Sequence, residues 1–198
     1  MSQPQALLRD QFYHIYNHAV EGLNLFRCED DYHRFLRLYA KHIEPIAETF
    51  AFCLLPNHLH SLIHTKAPHE QALSGNATQP REPSQHFANL FNAYARYYNS
   101  RYRRRGPLFL RPFKRKEVNS PRYFKTILIY IHQNARHHEL VEDFRDWPYT
   151  SYHLFLSKKP SRLKRDAAIS WFSDANAFVA EHEKIIDFRD ITPFILDD

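Results

Sequence analysis

The chain of 198 residues is long enough for one domain with a modest appendage, and its hydrophobic content of 43% can supply a core. Only three glycines are present, which argues against Walker-type and dinucleotide-binding loops, so we expect no small-molecule cofactor. Two cysteines are too few for a zinc module. No apolar stretch has the length of a membrane span, and the N-terminus lacks a signal-peptide core, so we expect a cytoplasmic protein.

The first half of the chain alternates between strand-like and helix-like patterns. Residues 12–20 are rich in aromatic and β-branched residues, which predicts a strand. Residues 29–48 carry apolar side chains at helical spacing, although Pro45 should bend or shorten that helix. Two runs, 50–55 and 58–65, flank a Pro-Asn turn and therefore predict a hairpin of antiparallel strands.

The second half begins with a polar segment, residues 66–83, which predicts a flexible loop. A second helix is expected from Ser84, as the N-cap, to about Arg104. Residues 108–118 look extended, and a third helix should follow from Pro121 to about Gln133. This β-α-β-β-α-β order predicts an α+β fold of the ferredoxin-like class, an antiparallel sheet with helices packed on it.

The composition changes after Trp147. Residues 158–165 form a polar, basic link, and residues 169–186 predict a small helical tail. We therefore expect a catalytic or binding domain at 1–157 and a C-terminal helical tail at 158–198.

The net charge of +5 is unevenly distributed. Residues 96–116 hold nine lysines and arginines and no acidic residue, so the remaining chain is slightly acidic. Such a stretch is either a solvated surface or a polyanion-binding face. Interleaved tyrosines and phenylalanines favour single strands or hairpin ends over duplex DNA, because arginines contact phosphates while aromatic rings stack on bases. The predicted DNA-binding residues are Arg101, Arg103, Arg104, Arg105, Arg111, Lys114, Arg115 and Lys116.

Two histidines in the predicted hairpin could hold a metal. His58 and His60 are two residues apart on a strand, so their side chains project from the same face. Paired imidazoles suit a divalent metal, but in a chain with 14 histidines a pair of solvated side chains is the alternative.

A tyrosine and an asparagine could complete such a site. Tyr130 and Asn134 lie four residues apart on the third predicted helix and hence on one helical face. If that helix covers the histidines, the phenol and the amide would face the metal, and an amide oxygen suits Mg²⁺ or Mn²⁺. The alternative for Tyr130 is an ordinary core residue.

Five segments resemble the HUH-type single-tyrosine transposases, and most closely the REP-associated tyrosine transposases. They are YHIYNHAV, FAFCLLPNHLHSLI, FNAYARYYNSRYRRRGPLFLRPFKRKEV, YIHQNARHHELV and DWPYTSYHLFL, which together span about residues 12–156. The block PNHLH followed far downstream by YIHQN is the most specific part. The tail segment WFSDANAFVAEH is similar to tails in one branch of the family.

The resemblance implies that His58 and His60 are metal ligands, that Tyr130 is the nucleophile and that Asn134 is a third polar ligand. It further implies a ferredoxin-like fold and cutting and rejoining of single-stranded DNA near a hairpin, with Mg²⁺ or Mn²⁺, by a monomer or homodimer. This chain has Asn-Ala-Arg at 134–136 where the family has Asn-Pro-Val, which predicts a different helix end.

In the implied mechanism, Tyr130 attacks the scissile phosphate and leaves a 5′-phosphotyrosine and a free 3′-hydroxyl. The acceptor of the tyrosine proton stays open between His132 and water. Two other functions compete: a domesticated protein that binds hairpin DNA or RNA without cutting, and a metal phosphodiesterase that uses water. The absence of Asp and Glu between Glu48 and Glu70 argues against the phosphodiesterase.

Overall fold

A computed structural model describes residues 6–67 and 82–184, and four strands of this part of the chain form one antiparallel sheet. The strands are β1 (Phe12–His18), β2 (Ala47–Leu54), β3 (His58–Thr65) and β4 (Lys114–Glu117), in the spatial order β2-β3-β1-β4. The three long helices are α1 (Glu29–Ile43), α2 (Pro83–Arg101) and α3 (Pro121–His137). This topology confirms the predicted ferredoxin-like α+β class.

The two faces of the sheet carry separate cores, because side chains alternate along each strand. Helices α1 and α2 pack together on one face, where Ile15 and Ile63 are buried. Helix α3 covers the opposite face and packs against β2 and β3 around Leu62 and Ile127. The odd-numbered residues of β1 therefore face α1 and α2, whereas the even-numbered residues face α3.

Nearby residues explain where one helix ends and where another begins. Helix α1 ends at Ile43, before Pro45, so the shortening predicted from the proline is confirmed. The N-cap prediction for Ser84 is wrong: α2 begins at Pro83, and the Ser84 hydroxyl instead accepts a hydrogen bond from Arg115.

Two further elements differ in length from their predictions. Of the extended segment predicted at 108–118, only Lys114–Glu117 forms a strand, although Phe109 also bridges to Ala19 beyond the end of β1. Helix α3 begins as predicted, with Ser120 as its N-cap. It continues four residues past Gln133 because an alanine at 135, unlike a proline, allows the helical hydrogen bonds to continue.

The described part of the tail folds back onto α3. After α4 (Tyr152–Leu156), which precedes the tail, it contains α5 (Arg165–Ile169) and α6 (Ala175–Glu183), whereas one helix was expected at 169–186. Phe172 and Phe178 belong to the same core as α3, and the domain division at residue 157 stays a prediction. Residues 68–81 of the predicted loop and 185–198 of the tail lie outside the described residues. None of the helices described is long and apolar enough to cross a membrane.

Candidate active site

Two adjacent strands bring histidines to the face of the sheet that α3 covers. His58 and His60 lie on β3 with their side chains on this face, as predicted from their spacing. In the antiparallel register Tyr16 of β1 pairs with His60, and His18 pairs with His58. The His18 and His58 rings stack with centroids 4.7 Å apart.

Helix α3 places the predicted tyrosine and asparagine over these histidines. The Tyr130 ring centroid lies 5.5 Å from that of His60, and His58 Nε2 lies 3.2 Å from Asn134 Oδ1. Tyr130 is only 2% exposed and Asn134 is fully buried. The structure thus brings together the four residues whose spacing and resemblance marked them as a site.

Both ring nitrogens of His58 lie next to amide oxygens. Its Nδ1 lies 2.8 Å from the amide oxygen of Asn57, and its Nε2 lies 3.2 Å from the amide oxygen of Asn134. A neutral imidazole has one N–H and can donate to only one of these oxygens. With the proton on Nδ1, His58 donates to Asn57 and its Nε2 lone pair faces Asn134 Oδ1, whereas with the proton on Nε2 it donates to Asn134. Asn134 Nδ2 is buried without a partner among the described residues.

His60 is oriented by a third histidine. Its Nδ1 lies 2.9 Å from Nε2 of His14, a buried residue of β1. When Nδ1 of His60 carries the proton, it donates to His14 and leaves the Nε2 lone pair of His60 available to a ligand. Nδ1 of His14 is buried and has no hydrogen-bond partner within the described residues.

Burial sets the protonation states of the site. It lowers the pKa of His58 and of His14 to about 3, and the pKa of His60 falls well below its ordinary value. These imidazoles are therefore neutral at pH 7, as metal ligands must be. Burial also raises the pKa of Tyr130 to about 12, although the nearby Asn134 side chain acts in the opposite direction.

The donor set is suited to a divalent cation that accepts nitrogen and oxygen ligands. No group of three or more His, Cys, Asp or Glu side chains suited to a metal occurs in residues 6–67 and 82–184. The converging donors are instead two neutral imidazoles and one amide oxygen. In the tautomer of His58 that is protonated at Nδ1, lone pairs of His58 Nε2 and Asn134 Oδ1 face each other, so the residues present fit a cation such as Mn²⁺ or Mg²⁺.

Three other tyrosines near the basic stretch, Tyr97, Tyr98 and Tyr102, lie in α2 or at its C-terminal end, on the other face of the sheet. Tyr97 and Tyr102 donate hydrogen bonds from their hydroxyls to the buried carboxylate of Asp31, at 3.1 and 2.6 Å. Burial raises the pKa of both hydroxyls, and the negative charge of Asp31 raises it further. Tyr98 is buried in the core beneath α1 and α2. These environments disfavour the tyrosinate that a nucleophile must become.

The predicted basic surface is divided rather than continuous. Lys114 and Lys116 of β4 pair with Tyr16 and His14, so they lie on the histidine face. Arg115, between them, turns to the opposite face and stacks on Phe113 at 3.9 Å.

The arginines around the end of α2 differ in their contacts. Arg101 bonds to Asp30 at the start of α1. Arg104 donates to backbone oxygens of the following loop, and Arg111 donates to Asn92. Arg103 and Arg105 are exposed. The structure therefore does not bring the eight predicted cations to one face.

Sequence reasoning missed His14 and His18, and it offered His132 as a base. The alternation of Phe12, His14, Tyr16 and His18 along β1 was a signal that could have placed both histidines on one face of that strand. His132 is not free to accept the tyrosine proton, because each of its two ring nitrogens already forms a hydrogen bond, one with His182 and one with Ser151.

Fold and site together define a ferredoxin-like α+β protein in which a histidine pair on the sheet faces a tyrosine on a covering helix. A solved structure titled as a REP-associated tyrosine transposase bound to a REP hairpin is similar, with a TM-score of 0.63 and 14% identity, over 81% of this chain and 89% of that chain. No family model matches the sequence, and no curated protein matches it significantly. The likeness shows that the two proteins share a fold.

Proposed function

We propose that this protein is a metal-dependent endonuclease and strand transferase for single-stranded DNA near hairpins, with Tyr130 as its nucleophile. The observation that carries the proposal is the convergence of His58 Nε2 and Asn134 Oδ1 beside the Tyr130 and His60 rings. The similar solved structure is bound to a REP hairpin, which supports a hairpin as substrate.

The residues have separate roles in this proposal. His58, His60 and Asn134 would hold Mg²⁺ or Mn²⁺, which supplies charge stabilisation at the scissile phosphate. His14 orients His60, and Asn57 fixes the tautomer of His58. Lys114 and Lys116 carry positive charge on the same face and favour binding of the phosphate backbone.

The reaction proposed for Tyr130 needs no external energy source, because one phosphoester bond replaces another. Its hydroxyl oxygen forms a bond to phosphorus, the bond from phosphorus to the 3′-oxygen breaks, and the tyrosine proton passes through solvent to that oxygen. The product is a 5′-phosphotyrosine, which conserves the phosphoester energy. A 3′-hydroxyl can later attack it and reseal the strand.

A suicide oligonucleotide tests this proposal. A hairpin substrate whose released fragment diffuses away should trap a covalent adduct in Mn²⁺, and tryptic mass spectrometry should locate it on Tyr130. Tyr130→Phe should abolish the adduct, and a chelator should do the same to the unmodified protein. Tyr97→Phe, on the opposite face of the sheet, is the matched control and should form the adduct normally. An adduct on another tyrosine would refute the assignment.

A non-cleaving hairpin-binding protein is the second candidate. The burial of Tyr130 favours it, because a nucleophile only 2% exposed must become accessible before it can reach a phosphate. In that case hairpin DNA should bind, but no covalent adduct should form in the presence of Mg²⁺ or Mn²⁺. A water-using phosphodiesterase would instead cleave at the same rate in Tyr130→Phe.

A further inference from the structure

A cavity of about 720 Å³ lies between α1, β2 and the segment 160–164. The aromatic side chains of Phe35, Tyr39 and Phe52 form part of its wall. Because Phe35 belongs to the core beneath α1 and α2, the cavity lies on the face of the sheet opposite the histidine side chains. Protein cavities of this size hold small organic molecules whose bodies are largely apolar.

The outer wall of the cavity is held against the edge of the sheet. Leu163 forms a β-bridge with Thr49 of β2, and the backbone N–H of Lys164 donates to the Thr49 carbonyl oxygen at 3.0 Å. Lys164 Nζ also lies 2.5 Å from a carboxylate oxygen of Glu48, near the start of β2. The segment 160–164 is therefore fixed by contacts within the chain, so the cavity is formed before any ligand enters it.

One buried hydroxyl group in the cavity has unused hydrogen-bonding capacity. Ser61 of β3 is 1% exposed and lines the cavity, and its Oγ has no hydrogen-bond partner among the described residues. The nearby Tyr39 hydroxyl bonds instead to Thr49 Oγ1 at 3.1 Å. Burial raises the pKa of Tyr39 to about 12, although Thr49 and Ser61 act in the opposite direction. A serine hydroxyl can donate one hydrogen bond and accept two, so Ser61 can bind a polar atom of a ligand.

The charged side chains of the cavity carry an excess of positive charge. Four cationic and two anionic side chains line it, namely Arg37, Lys66, Arg162, Lys164, Glu44 and Glu48. Both glutamates are paired, Glu44 with Arg162 at 2.9 Å and Glu48 with Lys164. Four positive charges less two negative ones leave +2, which attracts a small anion. The two carboxylates oppose the long run of phosphates in a nucleic acid, which favours a continuous cationic surface.

We propose that this cavity, which we call the Ser61 cavity, binds a small aromatic carboxylic acid with a second polar group at the far end of its ring system. The rings pack against the aromatic wall. The second polar group bonds to Ser61 Oγ, and the carboxylate lies at Arg37, which is exposed. Binding requires neither the metal nor DNA, so the inference stands apart from the proposed function.

The test is isothermal titration calorimetry of the full chain with three naphthalene compounds. One carries both groups, 6-hydroxy-2-naphthoic acid, whereas 2-naphthoic acid lacks the hydroxyl and 2-naphthol lacks the carboxylate. The unmodified protein should bind the hydroxy acid about fivefold more tightly than 2-naphthoic acid, since one hydrogen bond contributes on this order. It should bind the hydroxy acid about threefold more tightly than 2-naphthol, because an ion pair at an exposed arginine contributes less.

Three variants separate the parts of the site, and a fourth is the matched control. Ser61→Ala should bind both acids equally and leave the affinity for 2-naphthoic acid unchanged. Arg37→Gln should weaken both acids about threefold but not 2-naphthol, since it removes only a charge. Ala40→Leu, which fills the cavity from α1, should bind none of the compounds. Ala95→Leu fills a separate cavity between α2 and the segment 106–113 and should bind all three like the unmodified protein.

Circular dichroism melting shows whether Ala40→Leu is folded, and if it is not, the two acids compared in Ser61→Ala decide the question. The Ser61 cavity is overturned as a site if no compound binds at about 1 mM, a concentration that detects even weak ligands. Equal affinity of the unmodified protein for the two acids also overturns it. So does an advantage of the hydroxy acid that persists in Ser61→Ala, or normal binding by a folded Ala40→Leu.

Discussion

Helix α3 separates two clusters of buried histidines that differ in how their polar atoms are satisfied. On one side, around His14, His58 and His60, two buried atoms, His14 Nδ1 and Asn134 Nδ2, have no hydrogen-bond partner among the described residues. On the other side, His132 and His182 lie among the aromatic side chains of α4 and α6. Both clusters are buried, and burial lowers the histidine pKa values in both.

The second cluster has a complete chain of hydrogen bonds. His182 Nδ1 donates to the Phe178 carbonyl at 2.7 Å, so its Nε2 must accept from His132 Nδ1 at 2.8 Å. His132 Nε2 then accepts from the Ser151 hydroxyl at 2.7 Å. Each ring nitrogen of His132 and His182 therefore has one hydrogen-bond partner, an acceptor for each N–H and a donor for each lone pair. This cluster is satisfied without a ligand, whereas the first one keeps buried polar atoms without partners, which is consistent with the metal site proposed there.

The largest expected difference between the clusters is in catalysis. If the proposed function is correct, His58→Ala should reduce metal-dependent cleavage by about 10³-fold, because a metal held there would contribute several kcal/mol to transition-state stabilisation. Isothermal calorimetry with Mn²⁺ should show lost binding, while chemical denaturation should show little loss of stability.

The matched variant on the other side of α3 is His182→Ala. It should bind Mn²⁺ normally but lower the free energy of unfolding by about 3 kcal/mol, since it leaves a cavity and strands the N–H of His132. If His182→Ala loses the metal, or if both variants lose equal stability, the comparison is wrong.

A pH series tests the buried, neutral state of the second cluster. The folded pKa of His182 is about 4 and that of His132 is well below 6.5, so the unfolded chain binds protons first as the pH falls. Stability from these groups is therefore complete above pH 6.5 and is lost progressively below it. Each histidine should contribute about 1.4 kcal/mol of loss per pH unit.

His132→Gln should reduce the pH-dependent loss between pH 7.5 and 5.5 by about that amount, measured by urea denaturation at each pH. His153 and Glu181 are the other titratable groups that act on this pair. His153→Gln, at an exposed position, is the control and should leave the slope close to that of the unmodified protein. An unchanged slope in His132→Gln would mean that the pair is charged in the folded state.

The smallest effect concerns the residue that orients a ligand rather than binding the metal. His14→Leu should lower Mn²⁺ affinity about tenfold, because it removes the hydrogen-bond partner of His60 Nδ1. His14→Gln, whose amide oxygen can accept the same hydrogen bond, should restore much of that affinity. Calorimetry measures the Mn²⁺ affinity of both variants and of the unmodified protein. Equal affinity in all three would show that His14 has no orienting role.

The outline of the fold followed from patterns that act over short distances. The Pro-Asn turn between two apolar runs predicted the β2–β3 hairpin, and Ser120-Pro121 marked the start of α3. The N-cap prediction for Ser84 was wrong because α2 begins one residue earlier, at Pro83. The break in the extended segment before β4 also escaped prediction, because it depends on how Phe109 and Phe113 pack against α2.

Site residues that share one strand or helix could be predicted from the sequence. Residues that join the site through contacts between different elements were harder to predict. His58 with His60, and Tyr130 with Asn134, followed from strand and helix periodicity together with the family resemblance. His14 depends on the register between β1 and β3, and His182 depends on where the tail docks. The division of the basic residues between two faces likewise required the sheet order, because β4 is too short for its pattern to indicate an edge strand.

The two open sides of the sheet are protected in different ways. Along β2, bridges from Thr150 and Leu163 cover part of the edge. Strand β4 is short, and three of its four residues are cationic. Exposed edge strands promote aggregation because they can pair with another chain, and lysines on an edge oppose such pairing by repulsion. The charges that would attract DNA thus also disfavour pairing of two copies along this edge, and we expect a variant neutralised along β4 to lose solubility as well as DNA affinity.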